Sequence, residues 1–70
     1  MGGFYDHSGE WVNPFEIALT LSNGWGSMAT ITNTVHVKGG AFEAVASAAL
    51  MLPDHYASWD IVQVVVKELH

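Results

Sequence analysis

The side chains best suited to acid–base chemistry are few and scattered in this sequence. Asp6-His7-Ser8 contains the three residue types of a hydrolytic triad. A triad needs a histidine that bridges the acid and the nucleophile in space, and three adjacent residues do not provide that line. We therefore interpret this tripeptide as a polar turn and predict no catalytic residue.

Metal and phosphate sites are also poorly supported by residue spacing. The four histidines are His7, His36, His55 and His70. They form no closely spaced pair and no HExxH motif, so a site would need distant residues such as His36 and Glu16 on adjoining strands. We expect no metal and no cofactor. Gly39-Gly40 precedes a helix, but Glu43 would repel an anion there, and we interpret the pair as a strand-to-helix turn.

The charge of the chain argues against several classes of partner. It has two lysines, seven acidic residues and no arginine, which gives a formal net charge of -5. Binding to nucleic acid draws on clustered lysine and arginine, so direct binding to DNA, RNA or an anionic membrane is disfavoured. The negative charge fits a basic protein partner, and it fits equally well a role in solubility alone.

The hydrophobic content is high for so short a chain. Half of the 70 residues are hydrophobic, whereas a domain of this size buries only about 60% of the surface that its unfolded chain exposes. The surplus must face a partner protein, another copy or a ligand. No apolar run reaches the roughly 18 residues of a membrane span, and no secretory signal precedes the first strand. We expect a protein of the cytoplasm, in the producing or a host cell.

Hydrophobic periodicity predicts the element order β-β-α-β. Phe15–Leu21 alternates apolar and polar residues, as a half-buried strand does, and Asn23–Gly26 has the composition of a tight hairpin. The return strand, Ala29–Val37, carries threonines on one face. Ala41–Leu52 has the residues of a helix that Pro53 ends, and Trp59–Leu69 indicates a last strand that is apolar on both faces.

The predicted fold class is α+β, one small domain with a three-stranded, mostly antiparallel sheet and one helix packed on one face. We assign residues 1–13 to an irregular N-terminal arm rich in glycine and aromatic residues, and residues 14–70 to the ββαβ domain. The Phe15 strand is placed between the other two. The helix is expected to face the sheet with Phe42, Val45, Ala49 and Leu52, which leaves Ala44, Ala48 and Met51 on its back.

The two faces of the sheet receive different residues in this prediction. The side under the helix holds Phe15, Ile17, Leu19, Leu21, Ile31, Val35, Val37, Val62, Val64 and Val66. The open side holds the threonines with Ile61 and Val65, which a monomer would leave in water. This open side is where we expect a partner.

Two sets of candidate partner-binding residues follow from the predicted topology. The acidic set, gathered near one end of the molecule, is Glu10, Glu16, Glu43 and Glu68. The aromatic and apolar set is Tyr5, Trp25, Ile61 and Val65. Aromatic residues are enriched at binding hot spots, while acids steer a basic partner.

The sequence therefore favours a non-enzymatic protein-binding module. The sharpest hypothesis is an inhibitor that occludes a basic surface of a nucleic-acid-handling protein. Small phage anti-defence proteins such as anti-CRISPRs are similar in length, acidity and lack of cysteine, a similarity of type that no motif carries. The alternative is a homo-oligomer, such as a homodimer, in which sheet faces or helix backs pack together. It would have a structural or ligand-holding role.

Overall fold

The computed structural model describes residues 4–5 and 11–69, with side chains described from Trp11 onward. Its elements are β1 (Phe4–Tyr5), β2 (Trp11–Ser22), β3 (Met28–Val37), α1 (Ala41–Leu50), a short 3-10 helix (Asp54–Tyr56) and β4 (Asp60–Glu68). The predicted α+β class and β-β-α-β order are confirmed, with the short β1 added in the N-terminal segment.

The long strand β2 lies at the centre of the sheet, as predicted. β3 pairs antiparallel with one side of it, and β4 pairs antiparallel with the other side over Phe15–Ser22. β1 pairs with Trp11 and Val12 at the start of β2. The strand thus begins three residues inside the segment that the sequence assigned to the arm. Among the described residues, β3 and β4 are the edge strands of the region under the helix.

The hairpin between β2 and β3 is organised by Asn23. Its side-chain oxygen accepts hydrogen bonds from the backbone N–H groups of Trp25 (2.7 Å) and Ser27 (3.2 Å). Gly24 and Gly26 adopt φ values of 80° and 93°, which residues with a Cβ rarely adopt. The predicted turn chemistry is therefore present, and it leaves the Trp25 side chain projecting from the tip.

The helix packs on the sheet through two alanines. The sheet contributes Phe15, Ile17, Leu19, Leu21, Val35 and Val37 to the core. Ala44 and Ala48 are fully buried against these side chains. The predicted helix stripe is therefore wrong in part: Val45 and Leu52 do pack on the core, but Phe42 points away from it. Ala44 and Ala48, predicted on the back of the helix, are the residues that face the core. Large side chains already fill the sheet surface, so only methyl groups allow the helix to approach closely.

A β-bulge at Val62 changes which face the start of β4 presents. Thr20 lies opposite Gln63, but the next residue, Leu21, lies opposite Ile61. Directly opposed residues point to the same face, so Ile61 lies on the helix side with Leu21. The prediction that it lies on the open side is wrong. Val65 does lie on the open side, opposite Ala18.

Replacing Ala48 by leucine tests the close approach of the helix. We expect Ala48→Leu to lower the free energy of unfolding by about 1–3 kcal/mol, because the added methylenes have no space between helix and sheet. The matched control is Ala46→Leu, two residues away on the exposed side of α1, which should change stability by less than about 0.5 kcal/mol. Urea denaturation at low protein concentration measures both, and equal losses would contradict the packing described.

Candidate functional site

The outward face of α1 carries large apolar side chains in open solvent. Phe42 is 91% exposed and Leu50 is 88% exposed. Ala46 lies between them, so the three residues follow the four-residue spacing that aligns side chains along a helix. We call Phe42, Ala46 and Leu50 the outer ridge. A helix that is apolar on its outer as well as its inner face is typical of one that packs against a second layer.

Beside the helix, the inner face of β4 is uncovered as well. α1 packs mainly on β3 and β2 and makes its fewest contacts with β4. Ile61, Val64 and Val66 lie on the helix side of the sheet, opposite Leu21, Leu19 and Ile17, and are 40–44% exposed. We call these three residues the β4 strip. The sequence predicted Val64 and Val66 to be covered by the helix, but the narrow helix leaves them partly in water.

A cleft of about 330 Å³ lies at the Ile61 end of the β4 strip. Leu50 and Leu52 from the helix end line it together with Trp59 and Ile61. Tyr56 also lines the cleft and meets Trp59 edge to face, with ring centroids 4.9 Å apart. The lining is largely apolar, so this cleft continues the β4 strip as a place for an apolar side chain.

Of the predicted acidic residues, Glu16, Glu43 and Glu68 lie at one end of the molecule but not on one face. Glu16 lies on the open face, where Lys67 is its partner across the strands. Glu68 lies opposite Phe15 and so belongs to the helix side. Glu43 folds over the strand-to-helix turn, with its carboxylate where a Cβ on Gly39 would lie. That position suits an acid, because the helix dipole is positive there. Glu10 lies outside the described residues.

The predicted aromatic and apolar residues are spread over three places. Trp25 is 91% exposed at the hairpin tip, at the opposite end from Glu43 and Glu68. Val65 is half-exposed on the open face, and Ile61 belongs to the β4 strip. The side chain of Tyr5 lies outside the described part of the chain. The structure thus does not bring Trp25, Ile61 and Val65 together as a single patch.

The open face of the sheet is mainly polar. Thr30, Thr32 and Thr34 are exposed along β3, and the Thr20 and Thr30 hydroxyls lie 3.2 Å apart across the strands. This face is therefore less suited to apolar docking than the sequence suggested, and the surplus apolar surface lies on the helix side instead.

Groups suited to chemistry do not gather in the part of the chain that the structure describes. No three His, Asp or Glu side chains within residues 4–5 and 11–69 come together in an arrangement that would hold a metal ion. No described polar or charged residue is buried. The tripeptide Asp6-His7-Ser8 and His70 lie outside the described residues. None of the helices in the described ranges is long and apolar enough to cross a membrane.

Comparisons with known proteins give no relative from which a function could be transferred. Neither protein-family models nor curated proteins match the sequence, and no solved structure matches the fold. The function is therefore inferred from the exposed side chains themselves. The outer ridge was missed from sequence, although one signal pointed to it: Glu43 and Ser47 are the only polar residues of α1.

Alanine substitution of two phenylalanines compares the exposed outer ridge with the buried core. Phe42→Ala should change the free energy of unfolding by less than about 0.5 kcal/mol at low protein concentration, because the ring makes few contacts within the chain. Phe15→Ala should cost about 3–5 kcal/mol, because Phe15 is buried in the core. Chemical denaturation of both variants measures the difference. A large loss for Phe42→Ala would show that the ring is structural.

Proposed function

We propose that the protein is a non-enzymatic binding module whose working surface is the helix side, made of the outer ridge and the β4 strip. The observation that carries this proposal is the near-complete exposure of Phe42 and Leu50 on one helix face. Large apolar side chains in water are costly, and contiguous exposed patches of them mark interaction sites.

The shape of the surface supports docking of a protein segment. The ridge stands out from the molecule, while the β4 strip and its cleft lie beside it at a lower level. An amphipathic helix or an apolar loop placed on the strip would contact Val64 and Val66 below and Leu50 at its side. Binding of this kind reuses the geometry by which a helix lies in an apolar groove.

The finer version of the proposal is inhibition of a nucleic-acid-handling protein by occlusion of its basic surface. It is supported by the net charge of -5 and by the exposure of Glu43 and Glu68 at one end of the helix side. In this version the apolar surface supplies the affinity and the two acids orient the partner. Glu16 faces the other side of the sheet and contributes only through the overall field.

Capture from cell extract tests the working surface. Immobilised wild-type protein should retain a partner that Phe42→Glu loses, because a charge on the ridge would be buried without a counter-charge. Trp25→Glu is the matched control, since Trp25 is an aromatic residue with the same 91% exposure on the hairpin tip. Quantitative mass spectrometry of the eluates reads the result. Retention of the same proteins by Phe42→Glu would contradict the proposal.

The acidic version has its own test once a partner is captured. Neutralising Glu43 and Glu68 as glutamines should weaken binding and flatten its salt dependence, because two exposed charges no longer attract the basic surface. Glu16→Gln, on the opposite face, serves as the control and should have the smaller effect. Titrations at low and high salt by calorimetry measure both. Affinity that is independent of salt would refute acid-guided occlusion and leave apolar docking intact.

A further inference from the structure

We infer that the occupant of the helix side is a second copy of this chain, in a two-fold dimer that seats each outer ridge on the β4 strip of the other copy. This inference rests on the proposed function and names the partner. It makes the protein a three-layer assembly, with two sheets outside and two helices side by side between them.

The arrangement follows from where the two features lie on one copy. The helix covers β2 and β3, and the bare β4 strip lies beside it on the same face. Consider a two-fold axis that runs parallel to the strands, at the level of the helix above the sheet and midway between the helix and the space over the strip. Rotation about this axis places the helix of one copy on the strip of the other. The same operation places the strip of the first copy under the second helix. One interface thus covers both exposed features twice, as two-fold symmetry requires.

Because the axis runs parallel to the strands, residues that lie at the same position along the strand direction meet in this interface. α1 starts beside the end of β2 where Asn13 Nδ2 donates a hydrogen bond to the Gly39 carbonyl, and it rises towards the hairpin. Phe42 of one copy therefore meets the other copy near Val66, and Leu50, which lines the cleft with Ile61 in its own copy, meets it near Ile61. The charged residues at these positions are Glu43 and Glu68, which both lie at the end where α1 begins.

The available area is sufficient for a stable dimer. Phe42 and Leu50 are almost fully exposed, Met51 is 54% exposed, and the three residues of the β4 strip are 40–44% exposed. Together these residues offer on the order of 700 Å² of surface per copy, which is close to the share of each partner in an interface of standard size. The molecule is only 14 Å across its shortest dimension, so a second copy adds the missing layer.

Pairing of the free β4 edges is a poorer solution for the same two copies. The bulge at Val62 interrupts the strand, and the charged residues Asp60, Lys67 and Glu68 occupy its two ends. Bulges and charges are the features that protect edge strands from pairing. Edge pairing would also leave Phe42 and Leu50 in water.

The salt dependence of association distinguishes a second copy from a basic partner. Each copy carries a net charge of -5, so two copies repel each other and added salt should strengthen the dimer by screening. Attraction between this acidic chain and a basic protein should instead weaken with salt.

Sedimentation velocity of the full chain over a concentration series tests the dimer directly. The wild type should shift from monomer to dimer, more readily at high salt. Phe42→Glu and Val66→Lys should each weaken the dimer at least about thirtyfold, the loss expected at an interface hot spot. Trp25→Glu, equally exposed but at the hairpin tip, should dimerise like the wild type.

Mixing the two charged variants tests the predicted contact. An equimolar mixture of Phe42→Glu and Val66→Lys should restore a dimer, because one contact sets glutamate against lysine and the other keeps native Phe42 on Val66. Leu50→Glu with Ile61→Lys repeats the exchange at the other end of α1, should Val66→Lys prove unfolded by circular dichroism. A mixture of folded variants that stays monomeric would overturn the ridge-on-strip contact.

The remaining outcomes are decisive in the same way. A wild type that is monomeric at all concentrations overturns the dimer. A Phe42→Glu variant that dimerises like the wild type does so too, because it points to edge or open-face pairing. The proposed function is tested independently of the dimer. A monomer that captures a cellular partner through Phe42 retains the function without the dimer, and a dimer formed through Phe42 that captures nothing retains self-association alone.

Discussion

The contact between two alanines and the sheet determines the rest of this structure. Ala44 and Ala48 are the only fully buried residues of α1, and they rest on β2 and β3. Because their side chains are single methyl groups, the helix lies close to the sheet and contributes little volume of its own. The core is therefore built mostly by Ile17, Leu19 and Leu21 from the central strand, and the helix acts as a thin cover.

A thin and narrow cover has a consequence for the third strand. β4 pairs with β2 along most of its length, yet all nine of its residues remain exposed. The strand is held by backbone hydrogen bonds and by only part of its side-chain surface. The apolar surplus of the composition thus has a definite location, on the outer ridge and the β4 strip. The hydrophobic effect favours any arrangement that removes both from water together.

Much of the fold could be predicted from the sequence because its signals were unambiguous. The alternation of Phe15–Leu21, the Asn-Gly turn and Pro53 each indicate one structure. The phase of α1 was not predictable in the same way, because a helix whose only polar residues are Glu43 and Ser47 has no clear polar face. The face of Ile61 was not predictable either. In a strand that is apolar on both faces, a one-residue bulge leaves the pattern unchanged.

The candidate site was not predicted from the sequence because its surface is apolar, which is also the property that suits it to binding. Polar residues mark a surface that faces water, and both the outward face of α1 and the helix side of β4 lack them over Phe42–Leu50 and Ile61–Val66. By contrast, the open face carries Thr30, Thr32 and Thr34, and β-branched polar residues suit the exposed side of a sheet. Assembly through the helix side would turn these threonine faces outward on both copies. The two-fold interface would be closed, with each exposed helix side covered by the other copy, so association through it would stop at two copies.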